Sequence, residues 1–372
     1  MKHGIAFSKS ALPQDFTVTE VESGSLAFTG PTRAIEGVRW GQFELHPELD
    51  FTALRQPGRY ALRVGDAVSH PFTIGDAHAE LPAPLLEFMR QQRCGYNPWL
   101  DAVCHPFDGR TAYGPLTNGT YLDARGGWHD AADQLKYLLT SANATAQMLL
   151  AYQLAEASLG SPSPRPSPAG RGRSNRGVEH SSGVSELSQN AVNRSLPSRE
   201  RAGVRGGRAL LLADDFNALG QPGANGIPDL LDEARWGLEW MLKLHPAPDQ
   251  LYHQVADDRD HVGFRLPTRD TADYGRGKER PVYFCTGRPQ GLFGKKNRAT
   301  GIASTAGKYS SAFALGARVM RDRFPDFAKT LERKALDAYE FGAAHPGACQ
   351  TAPGKAPYFY EEANWGDDME LA

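Results

Sequence analysis

The sequence predicts a small all-β sandwich followed by an all-α domain, and three observations carry that prediction. Up to about residue 76, short runs alternate apolar and polar side chains with period two. From about residue 83 the apolar period lengthens to 3.6 residues. Within the second part, residues 161–208 follow neither pattern. A chain of 372 residues has room for two domains.

The β part, residues 1–78, contains the runs KHGIAFS, DFTVTEV, GSLAFTG, VRWGQFELH, RYALRV and SHPFTIG. Phe16 and Val18 alternate with polar neighbours, and Pro57-Gly58 supplies a turn before Arg59-Tyr60. In the second part, residues 83–372, a long helix is expected over 133–154, with Leu135, Leu138, Leu139, Ala142, Ala146, Leu149 and Leu150 on one face. In GANGIPDLLDEARWGLEWMLKLHP, Pro228 marks a second helix start, and Asp229, Asp232 and Glu233 suit its dipole. Trp236 and Trp240, four apart on that helix, are expected in the core. A third helix is expected from about Ser304 and a fourth after Pro325. Residues 246–303 hold no convincing helix, and a loop that long usually forms a binding surface.

Residues 161–208 hold 10 Ser, 7 Gly and 5 Pro and no aromatic residue, too little apolar surface to offset chain entropy. Disorder is expected there. The segment carries 9 Arg against 3 Glu, so the net −2 of the whole chain divides into +6 there and −8 elsewhere. Arginines without interleaved aromatics or helical spacing are weak evidence for nucleic-acid recognition, and none is expected. No apolar run reaches the roughly 18–20 residues of a membrane span. Four cysteines are too few for a disulfide scaffold.

The segment GGWHDAADQLKYL places His129, Asp130 and Asp133 at the expected helix mouth. Two carboxylates kept ionised there suit the holding and deprotonation of a water, although the same spacing also serves simple capping. Cys94, Cys104, His105 and His129 are spaced C-x9-C-H-x23-H. Two thiolates and two imidazoles can close a tetrahedral Zn2+ site of the structural kind, and buried thiols beside two surface histidines are the other reading.

The stretch GGWHDAADQLKYL resembles the GGW-[HY]-DAGD-xx-K-[YF] motif of glycoside hydrolase family 9, the cellulases and cellodextrinases. HPFTIGD, QRCGYN, GANGIPDLLDEARWGLEW and YEEANWGDDMELA extend the resemblance in the family's order. It departs at Ala132, where the family usually has Gly. The resemblance implies an immunoglobulin-like amino-terminal module and an (α/α)6 barrel interrupted at 161–208 and incomplete at Ala372. It implies hydrolysis of β-1,4-glycosidic bonds in cellulose, cellooligosaccharides or related β-glucans with inversion, Asp133 being the general base and Asp130 its partner in holding water. An inverting acid should stand about 6.5–9.5 Å from the base. Glu361, Glu362 and Glu370 do not match its motif, so no acid is assigned, and a remnant that only binds oligosaccharide is the alternative.

Some family members with the β-module carry zinc at positions matching Cys94, Cys104, His105 and His129, which favours a structural Zn2+. Asp367 and Asp368 resemble an acidic pair that helps bind Ca2+ in several members, although capping of a helix start suits them too. Tyr274, Tyr283, Phe284 and Trp365 are candidate sugar platforms. A monomer acting on β-glucan is expected. Family members are mostly exported, but no apolar stretch of secretory length precedes Pro13, which as written implies a cytoplasmic product.

Overall fold

The computed structural model describes residues 2–35, 41–75, 81–131, 133–157, 211–355, 360 and 362–372. The expected disordered segment, 161–208, lies outside the described residues. The chain divides into two compact units, Met1–Glu80 and Leu81–Ala372.

The first unit is built from β1 (His3–Ile5), β2 (Asp15–Glu20), β3 (Leu26–Arg33), β4 (Glu48–Asp50), β5 (Gly58–Val64), β6 (Ala67–Val68) and β7 (Phe72–Ile74). The strands run in the order β1-β4-β3-β2-β5-β6, with β7 also on β5. β3 links the two halves, pairing β2 along most of its length and β4 at Thr32 and Arg33. A side chain at Gly4 of β1 would stand 2.8 Å from the Leu62 side chain of β5, four places away in that order. The ribbon of strands therefore folds over on itself. Phe16, Val18, Leu49, Tyr60, Val64 and Ile74 fill the space between. The run VRWGQFELH does not supply its strand within its described part. The ladder forms just beyond it, at Glu48–Asp50, where Leu49 turns inward and Phe51 follows.

The second unit contains α1 (Pro82–Gln91), β8 (Gly95–Asn97), β9 (Ala102–Cys104), β10 (Arg110–Ala112), β11 (Lys136–Tyr137), α2 (Leu138–Ala157) and α3 (Asp229–Leu244). It continues through β12 (Tyr252–Val255), β13 (Pro281–Phe284), α4 (Ala303–Met320), α5 (Pro325–Ala344) and α6 (Gly366–Leu371). α2 packs against α3 and α4, and α4 against α5 and α6. Their shared core includes Leu138, Leu149, Leu231, Leu238, Met241, Tyr309, Phe313 and Leu331. As expected, α3 follows Pro228 with Asp229 and Asp232 in its first turn, and Trp240 is buried.

Two expectations fail here. The unit is not all-α, because β10, β13, β12 and β11 form a four-stranded sheet that organises the supposedly structureless 246–303 stretch. Tyr252–Val255 is buried along its whole length, so it shows no alternation to read. The helix expected from Asp133 begins at Leu138. Leu135 is buried but belongs to a loop, and Lys136–Tyr137 pairs with β12 before the helix starts.

Candidate active site and metal centre

The loop that carries Asp130 and Asp133 is held from below by α3. Trp236 Nε1 donates to the Gly127 carbonyl at 3.0 Å, Trp240 Nε1 to the Ala124 carbonyl at 3.1 Å, and Lys243 Nζ to the Arg125 carbonyl at 2.8 Å. Positions 236, 240 and 243 share one helix face, so α3 grips three neighbouring carbonyls at once. Gly127 has a φ of +71°, and a side chain there would lie 2.5 Å from the Trp240 ring. Only glycine satisfies both demands. Trp128 Nε1 donates to Glu233 at 2.8 Å, and the buried Arg93 caps the same carboxylate at 2.7 Å.

Beneath the loop lies a buried ionic knot. Arg280 holds Asp108 through two bonds of 2.6 and 2.7 Å, and Lys136 Nζ reaches Asp108 at 2.8 Å. Lys136 also donates to the Ala124 and Gly126 carbonyls at 2.7 and 2.8 Å. Removing either partner of such a pair strands a buried charge.

The two candidate catalytic carboxylates are differently placed. Asp130 accepts from Thr140 Oγ1 at 2.7 Å and from the Tyr360 hydroxyl at 2.5 Å, and Tyr137 stacks edge-on to Tyr360 at 5.1 Å. Asp133 accepts the Leu135 N–H at 3.1 Å and faces His261 Nε2 at 3.4 Å. Burial raises the Asp133 carboxyl above its ordinary range, and the nearby charges of Asp130 and Asp260 add to it, against the Leu135 N–H and His261. The pair does not lie on a helix face, as its spacing had suggested. It lies on a loop, Asp130 six and Asp133 three residues before β11.

Cys94, Cys104, His105 and His129 are all buried, with their candidate ligand atoms within 4.8 Å of one another. His105 Nδ1 and His129 Nε2 are 3.3 Å apart, Cys94 Sγ and His105 Nδ1 3.7 Å, and Cys104 Sγ and His129 Nε2 3.9 Å. A tetrahedron with zinc bond lengths has edges of about 3.3 Å between nitrogens and about 3.6 Å between sulfur and nitrogen. The donor set and its spacing fit such an ion. Asp270 accepts from His105 Nε2 at 3.0 Å, which leaves Nδ1 free to ligate. Burial opposes a thiolate at Cys94, but the Cys104 S–H, Lys136, His129 and His105 hold it well below the usual thiol range. His105 keeps this position with a φ of +48°, a backbone conformation unusual outside glycine.

A family model for glycosyl hydrolase family 9 matches residues 79–372. The chain belongs to this family. It is 26% identical over 335 residues to Endoglucanase C of Cellulomonas fimi, covering 83% of this chain and 24% of that protein. It is 23% identical over 359 residues to the xyloglucan-specific endo-beta-1,4-glucanase BoGH9A of Bacteroides ovatus, covering 92% and 48%. Among solved structures, a Zn-binding triple mutant of the family 9 endoglucanase J30 superposes with a TM-score of 0.58 at 22% identity, covering all of this chain and 57% of that one. A metagenome-derived family 9 endoglucanase superposes with a TM-score of 0.53 at 26% identity, over 91% and 49%. The chain thus spans less than two thirds of each of these relatives.

Within this family 9 domain the expected sugar platforms separate. Tyr283 is buried with its hydroxyl 2.5 Å from Asp257, and Tyr274 is buried with its hydroxyl 3.0 Å from Asp260. Neither offers an open ring face, because buried carboxylates draw their hydroxyls inward. Phe284 is half-buried against Tyr252, and Trp365 is exposed. Asp367 and Asp368 fall in the first turn of α6, where Asp368 pairs with Lys308 at 2.6 Å. Among the described residues they join no metal-binding cluster. Asp108, Arg280, Thr140, His261 and Tyr360 were not singled out from sequence. YEEANWGDDMELA was recognised as a motif, yet nothing local tied its tyrosine to Asp130.

Proposed function

We propose that this chain contributes to the hydrolysis of β-1,4-glycosidic bonds in cellulose, cellooligosaccharides or related β-glucans with inversion at the anomeric carbon. The observation that carries the reading is the unequal pair on one braced loop. Asp133 is the base that takes a water's proton. Asp130, fixed by Thr140 and Tyr360, holds that water with its lone pairs already oriented. Residues Cys94, Cys104, His105 and His129 would hold Zn2+, whose part is structural, since four protein ligands leave no position for water. The Tyr60 hydroxyl, donated to the Gln56 carbonyl at 3.0 Å, supports an immunoglobulin-like reading of the first unit.

Reducing-sugar release from carboxymethylcellulose and cellohexaose tests the reaction. Asp133→Asn should lower the rate by about 10²–10⁴-fold. Release no greater than in that variant would overturn the hydrolase reading. Because burial raises Asp133, and a base must be deprotonated, activity should fall with decreasing pH along an acid limb that lies above the ordinary carboxylate range. An acid limb at the pH of an exposed aspartate would contradict the role of Asp133. Metal analysis should find about one zinc per chain, lost in Cys94→Ser. A folded, metal-free wild-type protein would remove zinc from the proposal.

A further inference from the structure

A pocket of about 260 Å3 opens beside β10 and β13, walled in part by Arg110, Tyr113, Arg259, Arg276, Glu279 and Tyr283. That volume falls just below the roughly 300–1,000 Å3 of drug-sized sites, which suits a single ring. The wall carries three guanidinium groups and one carboxylate.

The three arginines are not equally committed. Arg259 is tied to Asp257 by bonds of 2.8 and 2.6 Å and to the Tyr274 carbonyl at 3.3 Å. Arg110 gives one terminal nitrogen to Glu279 and the other to the Gly119 carbonyl at 3.1 Å, but its Nε–H is buried without a hydrogen-bond partner among the described residues. A buried donor left unmade costs free energy that a ligand oxygen would recover. Arg276 is exposed, and among the described residues its guanidinium makes no hydrogen bond or ion pair within 4.0 Å; only its backbone carbonyl is engaged, by the Glu279 N–H, and its charge reaches the Glu279 carboxylate from farther off. Its guanidinium lies over Gly119, where a side chain would approach within 2.6 Å, so glycine makes the room that seats the charge in the pocket.

The aromatic wall has the opposite character. The Tyr113 and Tyr283 rings lie 5.9 Å apart, and both hydroxyls are turned away, to the Gly291 carbonyl at 2.7 Å and to Asp257 at 2.5 Å. What remains toward the pocket is the apolar ring surface of Tyr113, since the Tyr283 ring behind it is buried. Tyr113 is held at a φ of +63°, a strained conformation for a bulky residue.

A guanidinium without a hydrogen-bonded partner and an orphaned N–H call for an anionic group, and the Tyr113 ring calls for the C–H face of a pyranose. Inorganic phosphate would satisfy the first demand and waste the second. We propose that this pocket binds a hexuronate, with its carboxylate on Arg276 and the Arg110 Nε–H and one ring face on Tyr113. The proposal does not rest on hydrolysis at Asp133.

Isothermal titration of the full chain with methyl β-D-glucuronide, methyl β-D-glucoside and sodium phosphate tests it. Saturable binding of the glucuronide is expected, weakened about tenfold by Arg276→Ala through loss of a charge-assisted contact and partly restored by Arg276→Lys. Asp133→Asn should leave it unchanged, which separates this site from the hydrolase reading. Oligosaccharides from glucuronoxylan form a second arm. Tighter binding than the methyl glucuronide identifies a polymer-borne residue, and weaker or equal binding identifies the free sugar. Equal affinity for the glucoside, displacement by phosphate at matching concentration, no saturable binding, or an unaffected Arg276→Ala variant would each overturn the proposal.

Discussion

Two layers of the second unit, which meet in sequence between His129 and Lys136, are built on opposite terms. The lower layer, with Asp108, Arg280, Lys136 and the Cys/His cluster, is buried, and its charges are matched at distances near 2.7 Å. The upper layer, with Asp130 and Asp133, is partly open and held by neutral hydroxyls, one backbone N–H and a histidine. Full pairing fixes a group and spends its lone pairs; partial pairing fixes it and leaves lone pairs for a ligand. Asp133 shows the cost of the second arrangement. Its folded-state carboxyl is raised, so its contribution to stability is present at low pH and is lost as pH rises through the raised value. The lower layer supplies the rigidity that lets the upper one stay under-satisfied.

The sharpest way to break the comparison is to remove the centre of the lower layer. Asp108→Ala leaves Arg280 and Lys136 buried without their shared carboxylate and should destabilise the domain by about 3–5 kcal/mol. Denaturant midpoints measure it. A midpoint within error of the wild type would mean that the knot is not what stiffens the loop. Asp133→Asn, in the upper layer, should leave the midpoint unchanged or raise it near neutral pH, since it removes a charge that burial disfavours.

The next largest effect belongs to the joint between the layers. Gly127→Ala places a methyl against the Trp240 ring on a backbone that disfavours side chains, at a cost of about 1–3 kcal/mol. The thermal midpoint should fall and activity should fall with it, because the same displacement moves Asp130 and Asp133. Lost stability with intact activity would show that the carboxylates are positioned independently of α3.

What was legible in the sequence follows the same division. Asp130, Asp133 and His129 stand within five residues, and Cys104 adjoins His105, so short spacing exposed both constellations. Asp108 and Arg280 are 172 residues apart, and Tyr360 reaches Asp130 across 230. Contacts of that range leave no local pattern, because neither partner's neighbours are periodic with it. The leucine period misled in one place for a related reason. Leu135 is buried by the loop and the segment around Tyr274, so its burial mimics a helix face that does not begin until Leu138. The sheet was hidden because Tyr252–Val255 is buried on both faces, and tyrosines 274 and 283 read as platforms because sequence cannot show a hydroxyl drawn inward by Asp260 or Asp257.

The smallest predicted effect tests whether the upper layer is tuned as well as placed. Tyr360→Phe keeps the ring against Tyr137 and removes only the hydroxyl that donates to Asp130. The lost bond is partly exposed and water can replace it, so stability should change by less than about 0.5 kcal/mol. A bond to a carboxylate that orients the attacking water is worth more in the transition state than in the folded ground state, and loss of about 1.4 kcal/mol there is tenfold in rate. The expected result is a roughly five- to tenfold lower kcat with KM little changed. A rise in KM at constant kcat would place Tyr360 in substrate binding instead, and would leave Asp130 oriented by Thr140 alone.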